Sequence, residues 1–139
     1  MTEILPITRF GNPVLRETAR RLDKDEISSS AIQMLIENMR YTLIEKKYGV
    51  GIAAPQVGES VALSVIGVKP TPNRPELEPF ETVLINPEIV ETFGEPVDMW
   101  EGCVSCETDH LNGILFLDHV TDTKSFMMAD EYRKRIIGT

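Results

Sequence analysis

The sequence predicts an α+β domain: a small mixed or antiparallel sheet packed around a central metal-site helix, with an N-terminal and a C-terminal helix. Three observations carry this reading. A helical stripe runs from Ser30, two runs rich in Val, Leu and Ile lie mid-chain at residues 60–68 and 82–85, and Cys106 and His110 stand four apart near the end. With 139 residues, 42% of them hydrophobic, the chain can bury one ordinary core but is short for two, so a single domain over 1–139 is expected.

Taken in order, Gly11-Asn12-Pro13 signals a turn, and Val14, Leu15 and Leu22 supply apolar anchors for a segment laid on the body. Ser30 with Gln33 fits a capping box, after which Ile32, Leu35, Ile36, Met39 and Leu43 form the stripe of a core-facing helix. Glycines break that helix within residues 48–58. Residues 60–68 read as a strand, and residues 69–79, with four prolines, as a surface loop. A second strand at residues 82–85 ends at Asn86-Pro87. Residues 88–93 and 96–100 could each add a short strand around Gly94-Glu95. A helix is expected from Cys106 or Glu107 to about Phe116, and a third, amphipathic one over residues 125–137.

A net charge of -8 would repel phosphate backbones, and the short cluster Arg133-Lys134-Arg135 reads as a solvated helix face, so no direct nucleic-acid site is predicted. The first residues lack the charged and apolar regions of a signal peptide, and no apolar run approaches the roughly 20 residues of a membrane span. A cytoplasmic protein is expected, without a membrane partner. There, Cys103 and Cys106 read more readily as thiolates or metal ligands than as a disulfide.

Two constellations could carry chemistry. In Cys106-Glu107-Thr108-Asp109-His110 a helix would project Cys106 and His110 from one face toward a shared ion, with Glu107 beside them to move the proton of an attacking water. Cys103, three residues earlier, would add a second sulfur and leave a fourth position open. Small buried thiols and a satisfied helix histidine fit these ten residues equally well. In Gly49-Val50-Gly51-Ile52-Ala53-Ala54-Pro55-Gln56 the glycines allow close backbone approach and Gln56 offers an amide donor. That stretch could cradle a peptide or an oxyanion, or could simply be a small-residue turn between helix and strand. His119, nine residues past His110, would lie roughly opposite it on a helix and is not expected to replace a ligand.

Taken together, these segments resemble the peptide deformylase family. Gly49 to Gln56 matches its first motif, Gly-x-Gly-x-Ala-Ala-x-Gln, at every specified position. Glu101-Gly102-Cys103-Val104-Ser105 matches the second, Glu-Gly-Cys-x-Ser. Glu107 to His110, followed by Leu111-Asn112-Gly113, is similar to the third, His-Glu-x-x-Asp/x-His-Leu-x-Gly, without its first histidine. Gly11-Asn12-Pro13-Val14-Leu15-Arg16 near the start is also family-like. The chain departs from the pattern where family members carry several tens of residues between the second and third motifs. Here Ser105 runs directly into Cys106, which occupies the place of the missing histidine.

The resemblance implies a hydrolase acting on a linear amide, removing the formyl group from N-formylmethionyl peptides of nascent proteins, with the ribosome as a further partner. It implies one divalent metal ion, Fe2+ first and Zn2+ or Ni2+ as alternatives, with Cys103, His110 and Cys106 as ligands. Glu107 would be the general base, and Gln56 with the backbone N–H of Val104 would stabilise the oxyanion. Val50 and Gly51 would pair with the peptide backbone, and Trp100 would border the methionine pocket. The missing segment and the second thiolate leave as the alternative a catalytically impaired relative that binds peptide or metal without turnover, and behind it a structural domain in which Cys103, Cys106 and His110 hold a closed zinc site.

Overall fold

Asn12 caps the first helical turn of the chain by accepting a hydrogen bond from the N–H of Val14 at 3.1 Å. Pro13, with its fixed φ and no N–H to satisfy, starts the 3-10 turn Pro13–Arg16, which seats the buried Leu15. The computed structural model describes residues 1–46, 49–72, 75–95, 106–119, 134–135 and 138. Within them the chain forms α1 (Lys24–Ser28), α2 (Ser30–Lys46), β1 (Gly51–Ala53), β2 (Leu63–Val68), β3 (Phe80–Ile85) and α3 (Cys106–Leu111), with further 3-10 turns at Ala54–Val57 and Phe116–His119.

The short α1 was not anticipated from sequence. Its signal was the capping box of Asp23 and Glu26, each side chain accepting from the other's backbone N–H, at 2.8 and 3.1 Å. The box expected at Ser30 and Gln33 is displaced by one residue. Ser29, extended at ψ 148°, separates the two helices; its hydroxyl donates to the Glu26 carbonyl at 2.6 Å and accepts from Ile32 N–H at 3.3 Å. Gln33 instead donates to the Ile27 carbonyl. The expected stripe is the core: Ile36, Met39 and Leu43 are buried, and Ile32 and Leu35 pack against them. Two polar residues of α2, Asn38 and Thr42, are buried because they tie down the N-terminus, accepting from the backbone N–H groups of Glu3 and Leu5.

The sheet is antiparallel, in the order β1-β2-β3. β2 carries its centre, Leu63, Ser64, Val65 and Ile66 all being buried. It starts later than the expected residue 60 because the preceding backbone is occupied elsewhere. Arg20 N–H donates to Ser60, and Ala62 N–H donates to Arg20, in a parallel bridge with the N-terminal segment. β3 begins two residues before the expected 82 and ends where Asn86 turns to φ 49°. The Asn86 amide there clamps Leu22, accepting from its N–H at 2.8 Å and donating to its carbonyl at 2.7 Å.

No strand forms over residues 88–93. Among the described residues nothing lies beside this stretch to pair with its backbone, and Ile89, Val90 and Phe93 are exposed. The candidate strand at 96–100 lies outside the described residues, as does the expected helix 125–137 except for Lys134 and Arg135. α3 is shorter than expected, stopping at Leu111 rather than near Phe116. It packs against β1, β2 and the 3-10 turn Ala54–Val57.

Candidate active site

α3 ends in a Schellman cap. Gly113 N–H donates to the His110 carbonyl at 3.2 Å and Ile114 N–H to the Asp109 carbonyl at 3.0 Å, with Gly113 at φ +71°. The left-handed turn requires glycine, and so does the space. A Cβ there would lie 2.5 Å from the carbonyl oxygen of Arg16. One residue before the cap, Leu111 is buried among Ala19, Ala53 and Ala62, and its carbonyl accepts from Ala19 N–H at 2.8 Å. The small residues of the first motif thus let the end of α3 lie close against β1.

His110 sits half-buried just before that anchor. Its Nδ1 is buried and has no hydrogen-bond partner among the described residues. Burial pushes its pKa down, opposed by the neighbouring Asp109 carboxylate, and the net lowering favours the neutral form, the one that can ligate a cation. Asp109 itself meets His119 Nε2 at 3.2 Å at the surface. His119 lies on the separate 3-10 turn Phe116–His119, not on α3, and its exposed ring is turned to Asp109.

Gln56 closes the other side of the junction. Its amide oxygen accepts from Ala53 N–H at 2.7 Å, which orients the NH2 end as the available donor. The pleat of β1 explains why Ala53 N–H is free for this. Val50 gives its carbonyl to Gly67 N–H at 2.8 Å, so in the antiparallel register Val50 and Ile52 face β2. Gly51 and Ala53 then turn their backbone groups to the opposite edge, which no described strand covers. Of the two residues expected to meet a peptide backbone, Val50 therefore has its carbonyl committed within the sheet, and Gly51 presents the edge.

Cys106 and Glu107 open α3, and their side chains lie outside the described set; Trp100, Cys103 and Val104 do so entirely. Among the described residues no group of three or more His, Cys, Asp or Glu side chains gathers as a ready metal cage. The donor chemistry nonetheless fits a divalent ion: a half-buried imidazole with a nitrogen that has no partner among the described residues, on the helix whose sequence begins with a cysteine. Also among the described residues, no helix is long and apolar enough to cross a membrane.

A sequence model of the family described as polypeptide deformylase matches residues 4–108. This chain belongs to the polypeptide deformylase family. Among similar curated proteins, peptide deformylase 2 of Nostoc sp. is 32% identical over 176 aligned positions that take in 96% of each chain. That alignment is longer than the 139 residues here, so the Nostoc enzyme carries residues without a counterpart in this chain. The peptide deformylase of Christiangramia forsetii is 41% identical over 73% of this chain and 54% of its own. Among solved structures, a class I type b peptide deformylase from Acinetobacter baumannii, bound to Met-Ala-Ser, superposes with a TM-score of 0.75 at 28% identity, covering 86% of this chain and 100% of that one. The deformylase function and the α+β fold expected from sequence both stand, and nothing in the fold or these likenesses favours the impaired alternative. Deformylases are metal-dependent hydrolases of formylated nascent peptides, acting in N-terminal protein processing.

Sequence reasoning missed the residues that hold α3 in place. Gly113 carried a legible signal, a glycine two positions past the last helical residue. Arg16 and Asp118, which pair across 102 residues, carried none.

Proposed function

We propose that the junction of α3 with β1 and the Ala54–Val57 turn is the deformylase centre, and that Glu107, Gln56 and Gly51 divide the work there. The observation that carries this is the packing of α3, with His110 half-buried at its end, against the strand and turn that orient Gln56. Cys103, His110 and Cys106 would hold the metal, with iron(II) as the native ion. When bound, that ion supplies Lewis acidity, polarising the formyl carbonyl and making a water acidic enough to attack near neutral pH.

The remaining steps belong to the chain. Gly51 offers its N–H and carbonyl at the open edge of β1, where an extended peptide adds as a further strand. Trp100 borders the methionine side chain, and Val50 flanks the entering backbone. Glu107 takes a proton from the attacking water as its oxygen bonds to the formyl carbon. The Gln56 NH2 and Val104 N–H donate to the developing oxyanion. The C–N bond then breaks, Glu107 returns the proton to the leaving nitrogen, and formate and a free α-amine result. Nascent chains emerging from the ribosome in the cytoplasm would be the substrate pool.

Release of formate from formyl-Met-Ala-Ser by iron- or nickel-loaded protein tests this directly. Turnover that falls to background in Glu107→Ala, and by about 100-fold in Gln56→Ala, is expected. Folded wild-type protein that turns over no faster than Glu107→Ala would refute it.

A further inference from the structure

α3 spans six residues, too few for a helix to fix its own position, so its placement must be imposed from outside. The backbone on either side of its cap is held by one short stretch of the N-terminal segment. Before the cap, the Leu111 carbonyl takes the Ala19 N–H; at the cap, Gly113 rests on the Arg16 carbonyl; beyond it, Asp118 Oδ2 accepts from Arg16 Nη1 at 2.5 Å and from Leu115 N–H at 2.9 Å. A single carboxylate oxygen thus joins Arg16 to the turn that follows the helix. Directly between these ties and the rest of α3 stands His110.

We propose that residues 16–20 form a strap that positions the catalytic helix, and that Arg16, through Asp118, is a positioning residue for deformylation. This rests on the deformylase reading above. The side chains of Arg16 and Asp118 are 48% and 39% exposed, and ion pairs that open to solvent contribute little to folding. A pair that matters slightly to stability but aims a helix leaves a distinct trace. Breaking it misplaces reacting groups without unfolding the chain, and small misplacements are costly to turnover.

Arg16→Ala and Asp118→Asn in the nickel-loaded full chain are expected to lower kcat about tenfold. KM for formyl-Met-Ala-Ser should stay within about twofold, since peptide pairing at β1 is untouched. The thermal midpoint should move by no more than about 4 °C. Arg16→Lys should recover part of kcat, a cation with one tie replacing the guanidinium. Independently of activity, the His110 ring resonances of the metal-free protein should shift in Arg16→Ala; with two histidines in the chain they can be followed one by one. Unmoved His110 resonances with unchanged kcat would overturn the proposal. So would kcat falling only in step with a collapsed thermal midpoint, which marks a merely structural pair. Wild-type protein without turnover would sink the deformylase reading instead, and the His110 shifts would then decide the strap by themselves.

Discussion

The body formed by α2 and β2 buries Met39, Leu63 and Val65 almost completely, whereas α3 and the turn after it give the core Leu111 and Leu115. The first region is held by apolar area, contributing roughly 25 cal/mol per Å2 removed from water. The second depends on a glycine, a backbone hydrogen bond and an exposed ion pair, each specific in direction and burying little apolar area. If α3 carries the catalytic groups as proposed, the difference makes stability and catalytic alignment separable: the residues that bury the core are not the ones that hold the end of α3.

Substitutions should break the two regions in different ways. The largest expected loss of stability is in the body, where Leu63→Ala removes a fully buried side chain and should cost about 2–5 kcal/mol, read from a denaturant midpoint. In the second region Gly113→Ala meets both a left-handed backbone and the Arg16 carbonyl, and should cost about 2–4 kcal/mol. Unlike Leu63→Ala, it should depress kcat even where the protein remains folded. Asn86→Ala, which strips two backbone hydrogen bonds from Leu22 at the seam of the regions, should cost about 1–3 kcal/mol, with kcat near wild type in the folded fraction.

Acid gives the smallest effect and the clearest sign. The Arg16 guanidinium and the Leu115 N–H hold the Asp118 carboxyl below its ordinary value. A depressed carboxylate contributes fully above its unfolded pKa, about 3.9, and loses that contribution as pH falls through the lower folded value. Denaturant midpoints followed below about pH 4 should therefore fall less steeply in Arg16→Ala than in wild type.

Much of the body was legible in the sequence, because apolar periodicity reports what packs. Ile32 to Leu43 and residues 63–68 behave as their patterns require. Partners distant in sequence were not legible. Nothing near residue 60 announces that Arg20 will hold its backbone, and nothing near Ile89 shows that it will have no strand partner among the described residues. The site divides likewise. Its motifs identified the family and the helix, while the inward carbonyl of Val50 and the outward edge of Gly51 follow from a register that only folding sets.

The central claim is that a chain in which Ser105 runs directly into Cys106 still gathers its ligands at the α3–β1 junction. Absorption spectroscopy of the cobalt-loaded protein tests it most directly. One cobalt per chain is predicted, with thiolate-to-metal bands lost in Cys103→Ser, altered in Cys106→Ser and shifted in His110→Ala. Protein that is folded yet binds no stoichiometric cobalt, or whose bands ignore all three substitutions, would contradict it.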